Sequence, residues 1–189
     1  MIAGILLAAG ASRRFGIEDK LLAEFAGAPL VTHAAGTLRK LDPDILIAVT
    51  RSPEVAAALP GYTVVAPSKN ETLQADSLRA GILEAQRRQA SHALVMLGDM
   101  PFVEESHLKQ LLNRCTEIGA SATTDGKRKT PPACFSRALF PRLLQLNGDK
   151  GAASMLRELP EDAFVAECGG KLIDVDTPTD LDLVNGQKN

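Results

Sequence analysis

The chain has 189 residues, of which 45% are hydrophobic and 23% charged, as in an ordinary globular protein of one domain. With a formal net charge of −2, the chain lacks the positive field that attracts nucleic acids or anionic membranes, so we expect neither as a partner. The three cysteines (Cys115, Cys134 and Cys168) lack CxxC spacing, and no apolar run approaches the ~20 residues of a membrane span. We therefore expect a cytoplasmic protein without disulfide framework, signal peptide or anchor.

Apolar runs of strand length alternate with helical patterns along almost the whole chain. Ile45–Val49 and Ala93–Leu97 are apolar at every position, which is typical of parallel strands covered on both faces. The alternation predicts an α/β fold: a doubly wound, mostly parallel, Rossmann-like sheet in three α/β/α layers. The predicted strands are Ile2–Leu7, Ile45–Val49, Tyr62–Val65, Ala93–Leu97, Ala120–Thr123, Ala133–Phe135 and Phe164–Ala166. The predicted helices cover residues 29–41, 77–86, 104–114, 138–146 and 152–159, with others starting at Ser52 and Thr177.

Residues 123–132 break this rhythm, because they are polar and basic and include Pro131 and Pro132. We expect a loop or excursion over one edge of the sheet. The basic cluster Lys127–Lys129 is interpreted as a solvated part of that loop, with contact to an acceptor molecule left open.

The first strand leads into a loop of small and basic residues. Ala8, Ala9 and Gly10 have little or no side chain, so a flat ligand can lie against their backbone. The cations that a polyphosphate needs follow in the same segment: Arg13, Arg14 and Lys20. Ligands of α/β sheets bind at the carboxyl ends of the strands. The pattern favours a nucleotide site over a solvated basic loop.

Two acidic motifs follow later strands or precede a helix. Asp99 comes directly after a buried strand and Gly98, where it either binds Mg²⁺ together with phosphates or turns the chain before Pro101. Asp174 and Asp176 alternate along an extended segment, so both face the same side. One of them completes the metal site, or Asp176 complements the positive end of the last helix, and the two roles are compatible. That helix opens with a predicted capping box at Thr177.

Two weaker motifs remain ambiguous. Asp149 and Lys150 form a charged turn that either meets a second phosphate or separates two helices. Ser77 lies at a predicted helix start, where it reads a nucleobase or caps the helix together with Asp76. The sequence contains no P-loop, no GxGxxG after the first strand, no metal-binding histidine spacing and no GxSxG elbow.

Taken together, these motifs resemble the molybdenum cofactor cytidylyltransferase and guanylyltransferase group of MobA-like nucleotidyltransferases. The resemblance covers nearly the whole chain, and its parts occur in the family's order: Leu7–Gly16 with Asp19 and Lys20, Ser77–Gly81, Gly98–Pro101, Gly148–Ala152 and Asp174–Pro178. It implies a fold of the nucleotide-diphospho-sugar transferase type and one nucleotidyltransferase domain over residues 1–189. The chain departs from the family's cytidylyltransferases at Thr130, where they carry a histidine, and at Asp76, where a small or neutral residue is expected.

The resemblance also implies roles for individual residues. The implied nucleotide-binding residues are Leu7, Ala8, Ala9, Gly10, Arg13, Lys20 and Ser77. Arg13, Lys20 and Asp99 are the implied catalytic residues, because the two cations stabilise departing pyrophosphate. Asp99 and Asp176 are the implied ligands of Mg²⁺, and Asp149 and Lys150 the implied contacts of the acceptor. Ala9 favours CTP over GTP.

The expected reaction is transfer of CMP from CTP to a phosphorylated acceptor, molybdopterin or the molybdenum cofactor, with release of pyrophosphate. A phosphate monoester is mostly dianionic near neutral pH, so the reaction requires no general base. The expected partners are a nucleoside triphosphate and a phosphorylated small molecule, with room for a protein partner in cofactor maturation. Two alternatives stay open: GTP or another triphosphate with a sugar phosphate or similar acceptor, and a nucleotide-binding maturation protein without turnover.

Overall fold

A seven-stranded sheet forms the centre of the protein in the computed structural model, which describes residues 1–10, 19–68, 74–147, 153–167, 169–177 and 179–181. The sheet strands are β1 (Ile2–Leu7), β4 (Ile45–Val49), β5 (Thr63–Val65), β6 (His92–Leu97), β7 (Ala120–Thr124), β8 (Lys129–Ser136) and β9 (Phe164–Ala166). Their order is β5-β4-β1-β6-β8-β7-β9, and β8 alone runs antiparallel to its neighbours. The short strands β2 (Glu24–Phe25) and β3 (Ala28–Pro29) form a separate hairpin.

Helices cover both faces of this sheet. They are α1 (Leu30–Lys40), α2 (Pro53–Ala57), α3 (Gln74–Arg87), α4 (Glu105–Ile118), α5 (Phe140–Leu143) and α6 (Ala153–Arg157). Helices α1 and α4 share one hydrophobic core, and α3, α5 and α6 share the other. Because side chains alternate along a strand, Ile5 of β1 belongs to one core and Leu6 to the other. The predicted doubly wound, mostly parallel fold is confirmed.

The region around residues 123–132 differs from the prediction. Most of it is strand, because β7 and β8 form an antiparallel hairpin whose turn covers only residues 125–128. The Asp125 carboxylate closes that turn by accepting from the backbone N–H groups of Lys127 and Arg128 at 2.9 and 2.7 Å. Hydrogen bonding from the backbone of Arg128, then of Lys127, lowers the pKa of Asp125 to about 2.

A loop was predicted here because of Pro131 and Pro132, since proline is normally excluded from sheet interiors. In the structure, the pairing register of β7 and β8 shifts between Ala122 and Thr123, which pair with Ala133 and Thr130 respectively. The two prolines fall in this shift, where the β7 ladder requires no N–H from them.

Two helices also differ from their predictions. Helix α3 begins at Gln74, one turn earlier than expected, so Ser77 and Asp76 lie inside the helix and do not cap it from outside. The expected helix over 138–146 is reduced to a 3₁₀ turn and the short α5, with Pro141 in its first turn. Proline lacks an N–H and is tolerated only at a helix start, so a helix cannot run through this position without losing a hydrogen bond.

The cysteines are closer in space than their separation in sequence suggests. Cys115 of α4 and Cys134 of β8 are buried free thiols. The hydrogen bond with Cys115, assisted by burial, raises the pKa of the Cys134 thiol well above its usual range. Cys168 lies outside the described residues. None of the helices in the described ranges has the length and apolar character that crossing a membrane demands.

Candidate active site

A cleft of about 300 Å³ opens at the carboxyl edge of the sheet, where β1 and β6 end. Its walls combine small or apolar residues with polar and charged ones. They are Leu7, Ala9, Gly10, Lys20, Leu21, Gln74, Ser77, Leu97, Asp99, Asp174 and Asp176. The cleft therefore lies where α/β sheets characteristically bind ligands.

Gly98 brings Asp99 to this edge. Strands β1 and β6 pair in parallel as far as Leu7 and Leu97, and the N–H of Gly98 then donates to the Leu7 carbonyl at 2.9 Å. A Cβ on Gly98 would lie 3.3 Å from Val31 and 3.4 Å from the Leu7 carbonyl oxygen. A larger residue would require these neighbours to move by a few tenths of an ångström, so glycine favours this close passage against the end of β1, and the next residue emerges in the cleft.

Lys20 reaches the same point from a 3₁₀ turn over Lys20–Leu22. The Asp19 carboxylate caps that turn by accepting from the Leu21 N–H at 3.0 Å, while the Leu21 side chain is buried. The Lys20 ammonium donates to Asp99 Oδ2 at 2.6 Å and to Asp176 Oδ1 at 2.7 Å. One buried cation therefore joins two carboxylates that lie far apart in the sequence.

The electrostatics of this group are set by burial and by the opposite charges. Burial alone lowers the pKa of Lys20, but attraction and hydrogen bonds from Asp99 and Asp176 outweigh it, so the pKa is raised. Burial raises the pKa of Asp99, an effect that Lys20 opposes and the nearby Asp174 carboxylate reinforces. Two carboxylates thus contact one ammonium while a third, Asp174, acts on Asp99, and the group carries excess negative charge.

Asp174 and Asp176 are held in the cleft by the residue between them. The N–H of Val175 donates to the Asp99 carbonyl at 3.0 Å, and the Val175 side chain is buried against Phe25 and Leu30. Because neighbouring side chains of an extended segment alternate, both aspartates face the cleft. This confirms the prediction that they share one side.

A capping box fixes the chain just after Asp176. The Asp180 carboxylate accepts from the N–H and the hydroxyl of Thr177 at 2.7 and 2.8 Å, and Thr177 Oγ1 accepts from the Asp180 N–H at 3.1 Å. The same carboxylate accepts from the Asp176 N–H at 3.1 Å. The hydrogen bond from the Thr177 side chain is the main cause of a lowered pKa at Asp180. The predicted box therefore also orients Asp176.

The first turn of α3 forms another wall of the cleft. Gly81 lets this helix lie against the sheet, since a Cβ there would be 2.6 Å from Ile5 Cγ2 and 3.2 Å from Val49 Cγ2. The close approach carries Gln74 and Ser77, which are three residues apart and so share a helix face, to the cleft.

Most predicted site residues that the structure describes meet in this cleft. They are Leu7, Ala9, Gly10, Lys20, Ser77, Asp99 and Asp176. Ala8 differs, because its side chain is buried in the core and its N–H donates to the Val49 carbonyl at 2.9 Å. Arg13, Arg14, Asp149 and Lys150 lie outside the described residues.

The resemblance gave no role to four residues that line the cleft: Leu21, Gln74, Leu97 and Asp174. The residue pattern had kept Asp174 as an alternative to Asp176 for the metal site, because their alternation placed both on one side. Gln74 could be assigned only with the knowledge that α3 starts one turn earlier than predicted. Its i, i+3 relation to Ser77 would then have shown that the two residues share a helix face.

The donor set suits a divalent cation that arrives with phosphates. Asp99 Oδ1 is buried and has no hydrogen-bond partner among the described residues, so this carboxylate is incompletely compensated. Within those same residues, no three Asp, Glu, His or Cys side chains converge into a complete metal cluster. Mg²⁺ typically takes one or two carboxylates and completes its shell with water and phosphate oxygens, so Asp99 and Asp176 fit such an ion.

Comparison with known proteins decides the family. Residues 4–163 match the profile of the MobA-like NTP transferase domain. The chain belongs to this family of nucleotidyltransferases. The resemblance drawn from the motifs is thereby confirmed, and the enzyme class follows at the level of nucleotidyl transfer.

Individual relatives and a solved structure match most of the chain. The chain is 30% identical to purine catabolism protein PucB of Bacillus subtilis, over 96% of this chain and 94% of that protein. It is 28% identical to a molybdenum cofactor guanylyltransferase of Shewanella piezotolerans, over 69% of this chain and 63% of that enzyme. The structure of Rv0371c of Mycobacterium tuberculosis in complex with manganese superposes with a TM-score of 0.82 at 27% identity, covering 98% of both chains.

Proposed function

We propose that this nucleotidyltransferase moves CMP from CTP to the phosphate of a small-molecule acceptor of the molybdenum cofactor class, with Mg²⁺ as its metal and residues 1–189 as one catalytic domain. The observation that carries the proposal is the Lys20 ammonium between Asp99 and Asp176 at the floor of the cleft. A cation and two acidic side chains meet there beside Ala9, Gly10 and Ser77, which offer space and polar groups to a nucleotide.

The proposed chemistry is an in-line displacement at phosphorus. An oxygen of the acceptor's phosphate attacks the α-phosphorus of the triphosphate, a new P–O bond forms, and the bond to the β-phosphate oxygen breaks to release pyrophosphate. The attacking phosphate is already an anion, so no protein base is needed. Catalysis then depends on positioning and on neutralising charge.

Each site residue has a place in this scheme. Lys20 and Arg13 neutralise the triphosphate and the departing pyrophosphate. Asp99 and Asp176 would hold the metal, which would supply positive charge to offset the negative charge of the phosphates. Ala9 and Gly10 leave the backbone open to the base and ribose, and Ser77 and Gln74 supply side-chain hydrogen bonds on the opposite wall.

Cytidine is proposed as the base because Ala9 stands where the resemblance associates alanine with CTP. GTP is the second candidate, since one relative that matches 69% of this chain is named a molybdenum cofactor guanylyltransferase. The proposal therefore needs a test that separates the donors before any acceptor is tried.

The test is calorimetric binding of CTP, GTP, UTP and ATP, each with Mg²⁺, to the wild-type protein and to Asp99→Ala. Selective CTP binding that weakens in the variant supports the proposal and justifies assaying pyrophosphate release with molybdopterin. Selective GTP binding transfers the assignment to guanylyl transfer, and selective UTP or ATP binding contradicts a cofactor-directed cytidylyltransferase. Metal-independent binding that Asp99→Ala leaves unchanged contradicts the metal role of Asp99.

A further inference from the structure

The Lys20 ammonium lies between Asp99 and Asp176, where a metal ion ligated by the same two oxygens would also lie. Its Nζ is 2.6 Å from Asp99 Oδ2 and 2.7 Å from Asp176 Oδ1. An Mg²⁺ ion ligated by the same two oxygens would lie about 2.1 Å from each. The two cations would then compete for the same lone pairs and repel each other at short range.

The surroundings make this competition strong. The Lys20 side chain is only 10% exposed and that of Asp99 only 17%, so water screens neither charge well. Asp99 must keep a cation beside it, because a buried unpaired carboxylate is costly. Lys20, in turn, can leave Asp99 only if another anion receives its ammonium.

A nucleoside triphosphate meets both conditions at once. Its phosphate oxygens offer new acceptors to the ammonium, and they carry into the cleft a divalent cation that can replace the ammonium at Asp99. The flexible four-carbon stem of lysine allows such a short movement without a change in the backbone.

We propose that Lys20 is an exchangeable counter-ion, which holds Asp99 and Asp176 closed to free divalent metal and turns to the phosphates when the triphosphate enters. The inference rests on the proposed function, because it takes Asp99 and Asp176 as the metal ligands. Free metal and the resting position of Lys20 exclude each other, so removing the ammonium must strengthen binding of metal alone.

The test is a calorimetric titration with Mn²⁺ alone, in the absence of any nucleotide, at neutral pH. Lys20→Met keeps the length of the side chain and removes its charge. We expect Lys20→Met to bind Mn²⁺ at least tenfold more tightly than the wild type. The double variant Lys20→Met with Asp99→Asn should return to weak binding, which places the gained ion at these carboxylates.

Lys109→Met is the matched control, because Lys109 also pairs with a carboxylate, that of Glu105, but its side chain is 61% exposed. Its Mn²⁺ affinity should equal that of the wild type. Lys20→Gln is the second variant, since it keeps a polar N–H donor group, removes the charge and tests the same effect if Lys20→Met does not fold. Circular dichroism establishes which variants are folded.

Equal or weaker Mn²⁺ binding by a folded Lys20 variant overturns the counter-ion inference. The proposed function is judged separately, by metal-dependent pyrophosphate release from the wild type. If turnover is present and the Lys20 variants gain no Mn²⁺ affinity, the inference fails and the function stands. If turnover is absent with every triphosphate while the variants gain affinity, the function fails and the exclusion of metal by Lys20 stands.

Discussion

Asp99 and His107 lie near the same edge of the sheet, and each has one buried polar atom without a hydrogen-bond partner among the described residues. Asp99 follows β6 and lines the cleft. His107 belongs to α4 and contacts Thr123 near the end of β7, while Glu167 directly follows the neighbouring β9. Because β6, β7 and β9 run in the same direction, the two sites share one edge but belong to different halves of it.

The surroundings of the two residues differ in hydrogen bonding and access. Thr123 Oγ1 donates to the Pro132 carbonyl at 2.7 Å and therefore accepts from His107 Nε2 at 2.9 Å. His107 is 1% exposed and is absent from the walls of the cleft. Asp99 instead faces Lys20, Asp176 and open space. An unpartnered buried atom indicates chemistry only where a cleft reaches its side chain; elsewhere it reflects packing.

The largest expected effect comes from Asp99→Asn. We expect a loss of nucleotidyl transfer of about a thousandfold or more, roughly 4 kcal/mol in transition-state stabilisation, because the substitution removes a charged group from the reacting centre. Steady-state pyrophosphate release measures it. Asp162→Asn, at an exposed position far along the chain, is the control and should keep wild-type activity. Turnover within tenfold of wild type in Asp99→Asn would contradict the distinction between Asp99, which takes part in the reaction, and His107, which only packs.

His107→Ala should show the reverse pattern. The substitution leaves a cavity and removes the partner of Thr123, so we expect the free energy of unfolding to fall by about 2–4 kcal/mol. Urea denaturation gives this value, and pyrophosphate release per folded molecule should stay unchanged. A selective loss of activity without loss of stability would show that the β7–β9 half also takes part in the reaction.

Two helix glycines sharpen the comparison on the cleft side. Gly81→Ala places a methyl group 2.6 Å from Ile5 Cγ2, and we expect it to cost about 1–3 kcal/mol of stability through overpacking. It should also raise KM for the triphosphate, because α3 carries Gln74 and Ser77. Gly36→Ala in α1 meets no atom within 4 Å in the described structure, so it should stabilise by up to ~1 kcal/mol through helix propensity. Thermal unfolding of the two variants measures the expected loss of stability in one and the gain in the other. Equal shifts in melting temperature would contradict the close contact at Gly81.

The smallest expected effect is a pH dependence from His107. Burial lowers its pKa, Glu167 opposes this, and Lys171 adds to it. The folded protein thus resists protonation more than the unfolded chain, whose histidine titrates near pH ~6.5. The contribution of neutral His107 to the free energy of unfolding is complete above that pH. It is lost as the pH falls below it, by at most ~1.4 kcal/mol per pH unit. Urea denaturation of wild type and His107→Gln between pH 5 and 7.5 should show a shallower acid-side slope in the variant, and parallel slopes would contradict this.

Much of the central sheet could be predicted because apolar runs and turn residues agree there. The bounds of β1, β4 and β9 match the sequence prediction residue for residue. The β7–β8 hairpin was missed because prolines and lysines indicate a loop locally, whereas the bulge that accommodates Pro131 and Pro132 is created by the partner strand. Local propensity cannot show a register shift that two strands establish together.

The site was predictable to the extent that its residues follow strand ends. Asp99 was selected because it follows a buried strand at the carboxyl edge of the sheet, and Lys20 because it supplies positive charge after the first strand. The alternation of Asp174 and Asp176 was visible as a period of two. The ammonium between two carboxylates could not be predicted, since nothing in a sequence gives the distance from a loop at residue 20 to a segment at residue 176. The burial of Ala8 likewise depends on pairing with β4, which the sequence alone does not specify.

The ion pair between Lys20 and Asp176 also has a consequence for how the protein is made. Its partners are separated by 156 residues, and Asp99 lies between them in the sequence. During synthesis, β1 and β6 can pair while later residues are still unmade, and the second carboxylate and its capping box are added only afterwards. A growing chain therefore holds Lys20 and Asp99 before Asp176 exists, and the complete charge arrangement forms only after the segment around residue 176 has been made.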